Sequence, residues 1–274
     1  MTVENLLSYG KSKIHSDHAK ILLAELLNLN PLELLNHLSD PVDQKNIDMY
    51  INELKAIKEG KPLQYVMGKV NFYGNTFYIN ENVLIPRFET EELVEKTIYY
   101  INKFFTTPVE IIDLGCGSGV IGLTLQKKIS TASVDLIDIS EKALEICKNN
   151  QQNLGIRTNI YKSDMFSNVE KKYDVIISNP PYIKTNEKIE DIVKNNEPHI
   201  ALYAGDDGLD CYKKILSNIK DYMKEKCIIA FEIGYTQADE ISKLVNSYLD
   251  NVKIFVHKDM SGKDRMLFIF KNCE

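Results

Sequence analysis

Residues 109–122 read Val-Glu-Ile-Ile-Asp-Leu-Gly-Cys-Gly-Ser-Gly-Val-Ile-Gly, a short apolar run that breaks into alternating glycines and returns at once to apolar residues. The run has the length and branching of a buried strand, and the residues after Gly119 have the texture of a helix. Glycines between the two permit a tight turn and let backbone N–H groups and a helix N-terminus approach a ligand. Gly117, Gly119 and Gly122 satisfy a G-x-G-x-x-G spacing, and Asp138 closes the next apolar run, where an acidic residue can hold ribose hydroxyls. Three readings of this loop stay open on these residues alone: a nicotinamide dinucleotide site, an S-adenosylmethionine site, both of whose ligands contain adenosine, and a loop that serves packing only.

Outward from this loop, the chain alternates strand and helix patterns. A helical stretch, ELVEKTIYYINKFF, precedes it, and ASVDLIDI, SEKALEICKNN, NIYKSD, YDVIISN, CIIAFEIG, TQADEISKLVNSYL and VKIFVH follow. Apolar strands separated by helices require crossover connections, so the expected fold class is α/β with a mainly parallel sheet. The final step differs, because VKIFVH and RMLFIF are joined by the short KDMSGKD, which suits a hairpin and predicts an antiparallel last strand. Upstream, residues 1–61 read as a helical domain: Ala19, Leu22, Leu23, Leu26 and Leu27 recur at helical spacing, as do Ile47, Tyr50, Ile51, Leu54 and Ile57. Asp40 is the expected N-cap of the second helix, with Pro41 in its first turn and Gly60 past its end, and Pro31 opens a short helix between the two. Residues 62–85 are rich in Tyr, Phe and Val around Gly74-Asn75 and read as a β-hairpin linker, leaving residues 86–274 as the α/β domain.

Composition narrows the functions available. The 274 residues are 44% hydrophobic and 26% charged with 13 Gly and 8 Pro, the balance of a globular rather than a disordered chain. A net charge of −6 argues against a protein whose main task is gripping phosphates, so no direct nucleic-acid partner is expected. No apolar run reaches membrane-spanning length and the start lacks a secretory pattern, which predicts a cytoplasmic protein without a membrane partner. Cys116, Cys147, Cys211, Cys227 and Cys273 are scattered without a C-x-x-C pair, and the five histidines form no ligand spacing, so no metal is expected.

The second informative stretch is Asn179-Pro180-Pro181-Tyr182, directly after YDVIISN. In open α/β sheets, ligands bind at the C-terminal ends of the strands. Two consecutive prolines stiffen the backbone and remove two donors, leaving local carbonyls and the Asn179 side-chain oxygen as acceptors for an incoming NH2 group. An amide or exocyclic amine nitrogen is a poor nucleophile because its lone pair is delocalised. Two acceptors that hold its hydrogens aim that lone pair at an electrophilic methyl, and Tyr182 can pack on the planar group. This motif decides the glycine loop in favour of S-adenosylmethionine.

Asp113 to Gly119, Asp138-Ile-Ser140 and Asn179 to Tyr182 together resemble the seven-stranded, Rossmann-like, S-adenosylmethionine-dependent methyltransferases of planar nitrogens. Further residues narrow the resemblance: Pro62-Leu-Gln-Tyr65 with Gly68, Leu84-Ile-Pro-Arg87 with Thr90-Glu91, Glu197-Pro198, Gly208-Leu209, Phe231-Glu-Ile-Gly234 with Gln237, and Asp259 with Gly262 and Arg265. These are similar to the protein-glutamine N5-methyltransferases of peptide chain release factors, the HemK/PrmC family, from about Pro62 to the end. The family also carries an N-terminal helical bundle, here expected to dock substrate, and a hairpin linker.

The resemblance implies that Gly115, Cys116, Gly117, Ser118 and Gly119 contact the methionine portion of S-adenosylmethionine, Asp138 the ribose, and Asp164-Met165-Phe166 the adenine side. Asn179 adjoins both ligands, and Asn179, Pro180, Pro181 and Tyr182 receive the glutamine of a Gly-Gly-Gln loop in a class I release factor. Asn179, Pro180 and Tyr182 are the catalytic candidates, and S-adenosylhomocysteine is the product. Phe88, Met165 and Ala204 depart from the family pattern. Related alternatives are a glutamine methyltransferase acting on a ribosomal protein and, more distantly, a nucleic-acid amine methyltransferase. Arg87 and Glu91 read either as shapers of the pocket or as members of a structural ion pair, Glu197 and Glu232 as loop-ordering carboxylates, and Cys116 as a small apolar spacer rather than a nucleophile.

Overall fold

The computed structural model describes residues 1–274 and divides the chain into two compact units, Met1–Val70 with Glu190–Asn196, and Asn71–Ile189 with Glu197–Glu274. The first unit is helical: α1 (Val3–Lys11), α2 (Ser16–Leu26), a 3-10 turn at Glu33–His37, α3 (Gln44–Lys58) and α4 (Leu63–Met67). Leu6, Leu7, Leu22, Leu23, Leu34, Tyr50 and Leu54 share its buried core. The Tyr50 hydroxyl donates to the Ala19 carbonyl at 2.9 Å, and Gly10 lets α1 approach α3 so closely that a Cβ there would lie 2.0 Å from the Tyr50 oxygen.

Two local expectations change here. Asp43, not Asp40, caps α3, its carboxylate accepting the Asn46 N–H at 2.8 Å. Residues 40–42 are held extended against the chain start, with Val3 N–H donating to the Asp40 carbonyl and Val42 N–H to the Met1 carbonyl, both at 3.0 Å, so Pro41 cannot enter the helix. Leu63–Met67 is helical rather than part of a hairpin, because Leu63 is buried with Leu54 in the apolar core and Gly68, at φ +69°, ends the turn. The hairpin proper is β1 (Lys69–Phe72) and β2 (Asn75–Tyr78), turning at Tyr73-Gly74, both with positive φ as a type I′ turn demands.

The second unit continues through α5 (Phe88–Phe104), β3 (Glu110–Leu114), α6 (Val120–Lys128), β4 (Ser133–Asp138), α7 (Glu141–Leu154), β5 (Asn159–Lys162) and β6 (Tyr173–Ser178). Helix α8 (Asp191–Asn196) groups with the first unit, where the Asn196 side-chain amide donates to the Gly60 carbonyl at 2.9 Å. Then come α9 (Asp210–Asn218), β7 (Met223–Glu232), α10 (Ala238–Tyr248), β8 (Val252–Lys258) and β9 (Asp264–Lys271). Seven strands form one sheet in the order β5-β4-β3-β6-β7-β9-β8, parallel except for β9, which runs against both its neighbours. One face buries Ile112, Ile176, Ile229 and Ile269 with Tyr212, Ile215, Ile241 and Val245 of α9 and α10.

The chain starts this sheet in its centre at β3, builds outward through β4 and β5, then returns to the other side of β3 with β6. The loops leaving β3 and β6 therefore diverge and open a crevice at the carboxyl ends of these two strands. Just below it, the Ser178 hydroxyl donates to the Leu114 carbonyl at 2.7 Å and ties the two strand ends together.

Candidate active site

On the β3 side the site is backbone. Gly115, Gly117 and Gly119 have φ of +71°, +54° and +83°, a region that side-chain-bearing residues rarely enter. A Cβ at Gly115 or Gly117 would stand in open space, whereas at Gly119, the N-cap of α6, it would lie 2.6 Å from Cys147 Sγ. The first two glycines thus face the crevice and the third packs the loop onto α7. Gly122 serves packing too: its N–H donates to Asp113 at 2.9 Å, and a Cβ would strike Leu136 at 2.7 Å.

Two carboxylates hold the loop. Asp138, at the end of β4, accepts the Gly117 N–H at 2.9 Å and the Ser140 N–H at 2.8 Å, one on each oxygen, which leaves lone pairs on both. Burial raises its pKa, while the N–H groups of Ser140, Gly117 and Ile139 oppose the rise. Asp113 is fully buried, and its Oδ1 has no hydrogen-bond partner. Burial pushes this carboxyl up to about 7, against the pull of the Gly122 N–H and with help from Asp138. Cys116 is buried with its sulfur 4.0 Å from that of Cys147, and this contact together with burial drives the thiol's pKa well up, the opposite of what a nucleophile needs.

On the β6 side the site is made of side chains. The pairing of Ser178 with Phe231 across β6 and β7 brings Asn179 beside Glu232 at the end of β7. Thr90, in the first turn of α5, bridges them: its hydroxyl donates to Glu232 Oε2 at 2.6 Å, and the Asn179 amide nitrogen donates to the Thr90 oxygen at 3.3 Å. Glu232 and Thr90 are both buried. Burial pushes the Glu232 carboxyl up to about 7, partly countered by the Thr90 hydroxyl, Arg265 and the side-chain amide of Asn179.

Between the two sides lies a cavity of about 330 Å³, within the range of small-molecule pockets. Gly115, Cys116, Gly117, Ser118, Asp138, Met165, Asn179 and Pro181 line it. Gly119, Pro180 and Tyr182 do not: Gly119 faces α7, Pro180 is buried, and the Tyr182 ring packs against the apolar cluster under α9 and α10. Burial, with the charge of Glu232, pushes the Tyr182 phenol up to about 12. Its carbonyl accepts the Gln237 side-chain amide at 3.1 Å, which pins the loop after Pro181. Met165 holds φ +49° beside Asp164, which pairs with Lys214 of α9, while Phe166 turns inward and stacks on Tyr222 at 4.3 Å.

Of the carboxylates read from sequence as loop-ordering, Glu197 pairs with Arg87 and accepts the Ile85 N–H at 3.0 Å. Glu91 takes no part in that pair and instead accepts the Tyr73 N–H at 2.9 Å. Several walls had no local signal. Val83, Ile200, and Cys211 with Lys214 of α9 reach the cavity from three separate segments, and only the folded sheet assembles them. No group of three or more His, Cys, Asp or Glu is placed to hold a metal, and no helix is long and apolar enough to cross a membrane.

A glycine loop and an acidic strand end facing an Asn-Pro-Pro-Tyr segment, across the switch point of a seven-stranded sheet with one antiparallel strand, define an α/β methyltransferase domain. The methyltransferase small domain family matches residues 90–197, and the PrmC N-terminal domain family matches residues 6–68. The chain is 36% identical to the release factor glutamine methyltransferase of Bacillus subtilis over 93% of this chain and 91% of that relative. It is 34% identical to the enzyme of the same description from Bacillus cereus, over 91% and 90%. The chain belongs to the release factor glutamine methyltransferase family, whose members use S-adenosylmethionine. Among solved structures, the 16S rRNA N2 G1207 methyltransferase of T. thermophilus, determined with AdoMet and guanosine, superposes with a TM-score of 0.55. It is 14% identical, covering 74% of this chain and 50% of that one, and shares the fold.

Proposed function

We propose that this protein transfers the methyl group of S-adenosylmethionine to the side-chain amide nitrogen (N5) of the glutamine in the Gly-Gly-Gln motif of class I peptide chain release factors. The observation that carries this reading is the Asn179 carboxamide on the cavity wall opposite the glycine loop, its nitrogen engaged by Thr90. Its carbonyl is thereby available to accept from an incoming amide.

The residues on the β3 side fit the methyl donor. Gly115 and Gly117 leave open space where side chains would stand, Asp138 keeps lone pairs for ribose hydroxyls, and the unpartnered Asp113 oxygen puts latent negative charge beneath the loop. The backbone from Gly115 to Ser118 would hold the methionine portion, Asp138 the ribose, and Met165 the adenine. Bound there, S-adenosylmethionine supplies a methyl on a positively charged sulfur. Asn179 would hold the glutamine NH2 and orient its lone pair toward the methyl donor. Transfer would join that methyl to the amide nitrogen and leave the donor as a neutral thioether, with one N–H proton released to solvent. The main protein contribution is alignment rather than proton transfer.

A single loop inserted into this cavity gives little binding area, so the release factor needs a second surface. We assign it to the helical unit, where Leu32 and Leu35 are exposed. The double substitution Leu32→Asp, Leu35→Asp is expected to raise KM for an intact release factor severalfold with cofactor affinity unchanged; an unaltered KM refutes the docking assignment.

The deciding assay follows label from S-adenosylmethionine into a purified release factor and into its Gly-Gly-Ala variant, with ribosomal proteins and DNA as competitors. Label that vanishes with the glutamine supports the proposal. Label only in ribosomal proteins or DNA transfers the activity to one of those substrates.

A further inference from the structure

Resting on the reading above, we infer that Thr90 and Glu232 are positioning residues that determine which end of the Asn179 carboxamide faces the substrate nitrogen. The two ends of a carboxamide are nearly equal in size and opposite in hydrogen-bonding sense, so shape alone does not choose between them. A substrate NH2 needs the oxygen end. The nitrogen end would oppose two donors and turn the amide away.

The choice is made by the Glu232 carboxylate, which engages the Asn179 amide directly as well as through Thr90. An ionised Glu232 only accepts, and it takes the single hydroxyl hydrogen of Thr90 at 2.6 Å. The Thr90 oxygen is then left with lone pairs alone, and the Asn179 group 3.3 Å away must be its NH2. Reversal would set the Asn179 oxygen against the Thr90 lone pairs and lose a hydrogen bond in a site with little water, since Thr90 and Glu232 are 2% and 1% exposed. Thr90 itself borders the cavity beside Asn179, and the role assigned to Thr90 and Glu232 is exercised through Asn179.

The polarity of this relay depends on the charge of Glu232. Arg265 on β9 favours that charge, whereas Glu89 on α5, and the phenols of Tyr182 and Tyr212 when ionised, oppose it. Arg265 is itself shared, donating to Asp259 at 3.3 Å and to the Ile233 carbonyl at 3.3 Å. When Glu232 takes up a proton it can donate to Thr90, whose own hydrogen is then free to point at Asn179 and favour the reversed amide. Burial places that event at about 7, so the chemical step is expected to slow as pH falls through this range.

The test compares Thr90→Val, Thr90→Ser and Glu232→Gln with the wild-type protein, measuring cofactor affinity by titration and kcat as a function of pH. Thr90→Val, equal in size but without the hydroxyl, is expected to lower kcat about 10-fold with cofactor affinity nearly unchanged. Thr90→Ser restores most of it, and Glu232→Gln abolishes the acid limb of the kcat profile. Unchanged kcat in Thr90→Val, equal impairment of the Val and Ser variants, or the same acid limb in Glu232→Gln overturns the inference. Should Thr90→Val lose cofactor binding, the Glu232→Gln profile decides alone. A wild-type protein that methylates no release factor refutes the parent reading instead, which separates the two failures.

Discussion

At Gly117 the site is held by partners close along the chain, and at Asn179 by partners far away. The Gly117 N–H reaches Asp138, 21 residues on, and the Gly122 N–H reaches Asp113, 9 residues back. Asn179 rests on Thr90, 89 residues away, which rests on Glu232, 142 residues from itself. The first half is backbone shaped by glycine and can be built by one strand-turn-helix unit and its neighbouring strand. The second half is a chain of side chains from three elements, each useless without the others. Substitutions on the β3 side are therefore expected to change affinity or stability, and those on the β6 side the rate of the chemical step.

The largest expected effect is that of Asn179→Ala, which removes the acceptor proposed to face the substrate amide. Turnover should fall roughly 10²-fold or more while cofactor affinity holds, by the scale of a lost positioned hydrogen-bond group. Undiminished turnover with the cofactor still bound breaks the division at once. Asp138→Asn sharpens it from the other side, because the charged acceptor proposed for ribose becomes a neutral one. The cofactor Kd should rise about 10-fold, and single-turnover rates at saturating cofactor should change little. A fall in rate that saturation cannot repair places Asp138 on the wrong side of the comparison.

Gly119→Ala separates packing from binding within the loop itself. It forces a side chain into φ +83° and 2.6 Å from Cys147 Sγ, and should cost about 2 kcal/mol, or roughly 4–8 °C in thermal unfolding. Equal melting temperatures for variant and wild type disprove the packing assignment. The smallest effect belongs to Phe88→Pro, outside both halves. Phe88 is the first residue of α5 and is exposed, and Arg87 before it is already extended at φ −100°, ψ 155°. Proline suits that position, so melting should rise by about 1–2 °C with activity unchanged. A lower melting temperature shows that the Phe88 ring or its N–H holds a contact that matters.

How much was legible follows the same division. The seven strands, the reversed direction of β9 and the glycine loop were readable because a buried strand and a tight turn impose their demands on adjacent residues. The N-cap of α3 was misread at Asp40, since nothing local says that residues 40–42 pair with the chain start. Leu63–Met67 looked like strand because a five-residue helix has too few residues to display a period, and its fate was settled by the burial of Leu63. Tyr182 offered an aromatic ring for a planar substrate, yet the fold packs that ring against the apolar cluster beneath it. Glu232 could be read as a carboxylate that orders a loop, but not as the residue that orders Asn179.

By itself, then, the amino-acid sequence determined the α/β class, the place of the glycine loop, the acidic strand end that meets it and the acceptor-rich Asn-Pro-Pro-Tyr turn. Each of these is a property of backbone conformation, and backbone conformation is set by residues within a few positions of one another. Only the tertiary structure decided that β6 lies on the far side of β3 from β4, that Glu232 stands beside Asn179, and that Thr90 joins them. Those are hydrogen bonds between side chains remote in sequence, and their direction is defined only once burial has removed water as an alternative partner.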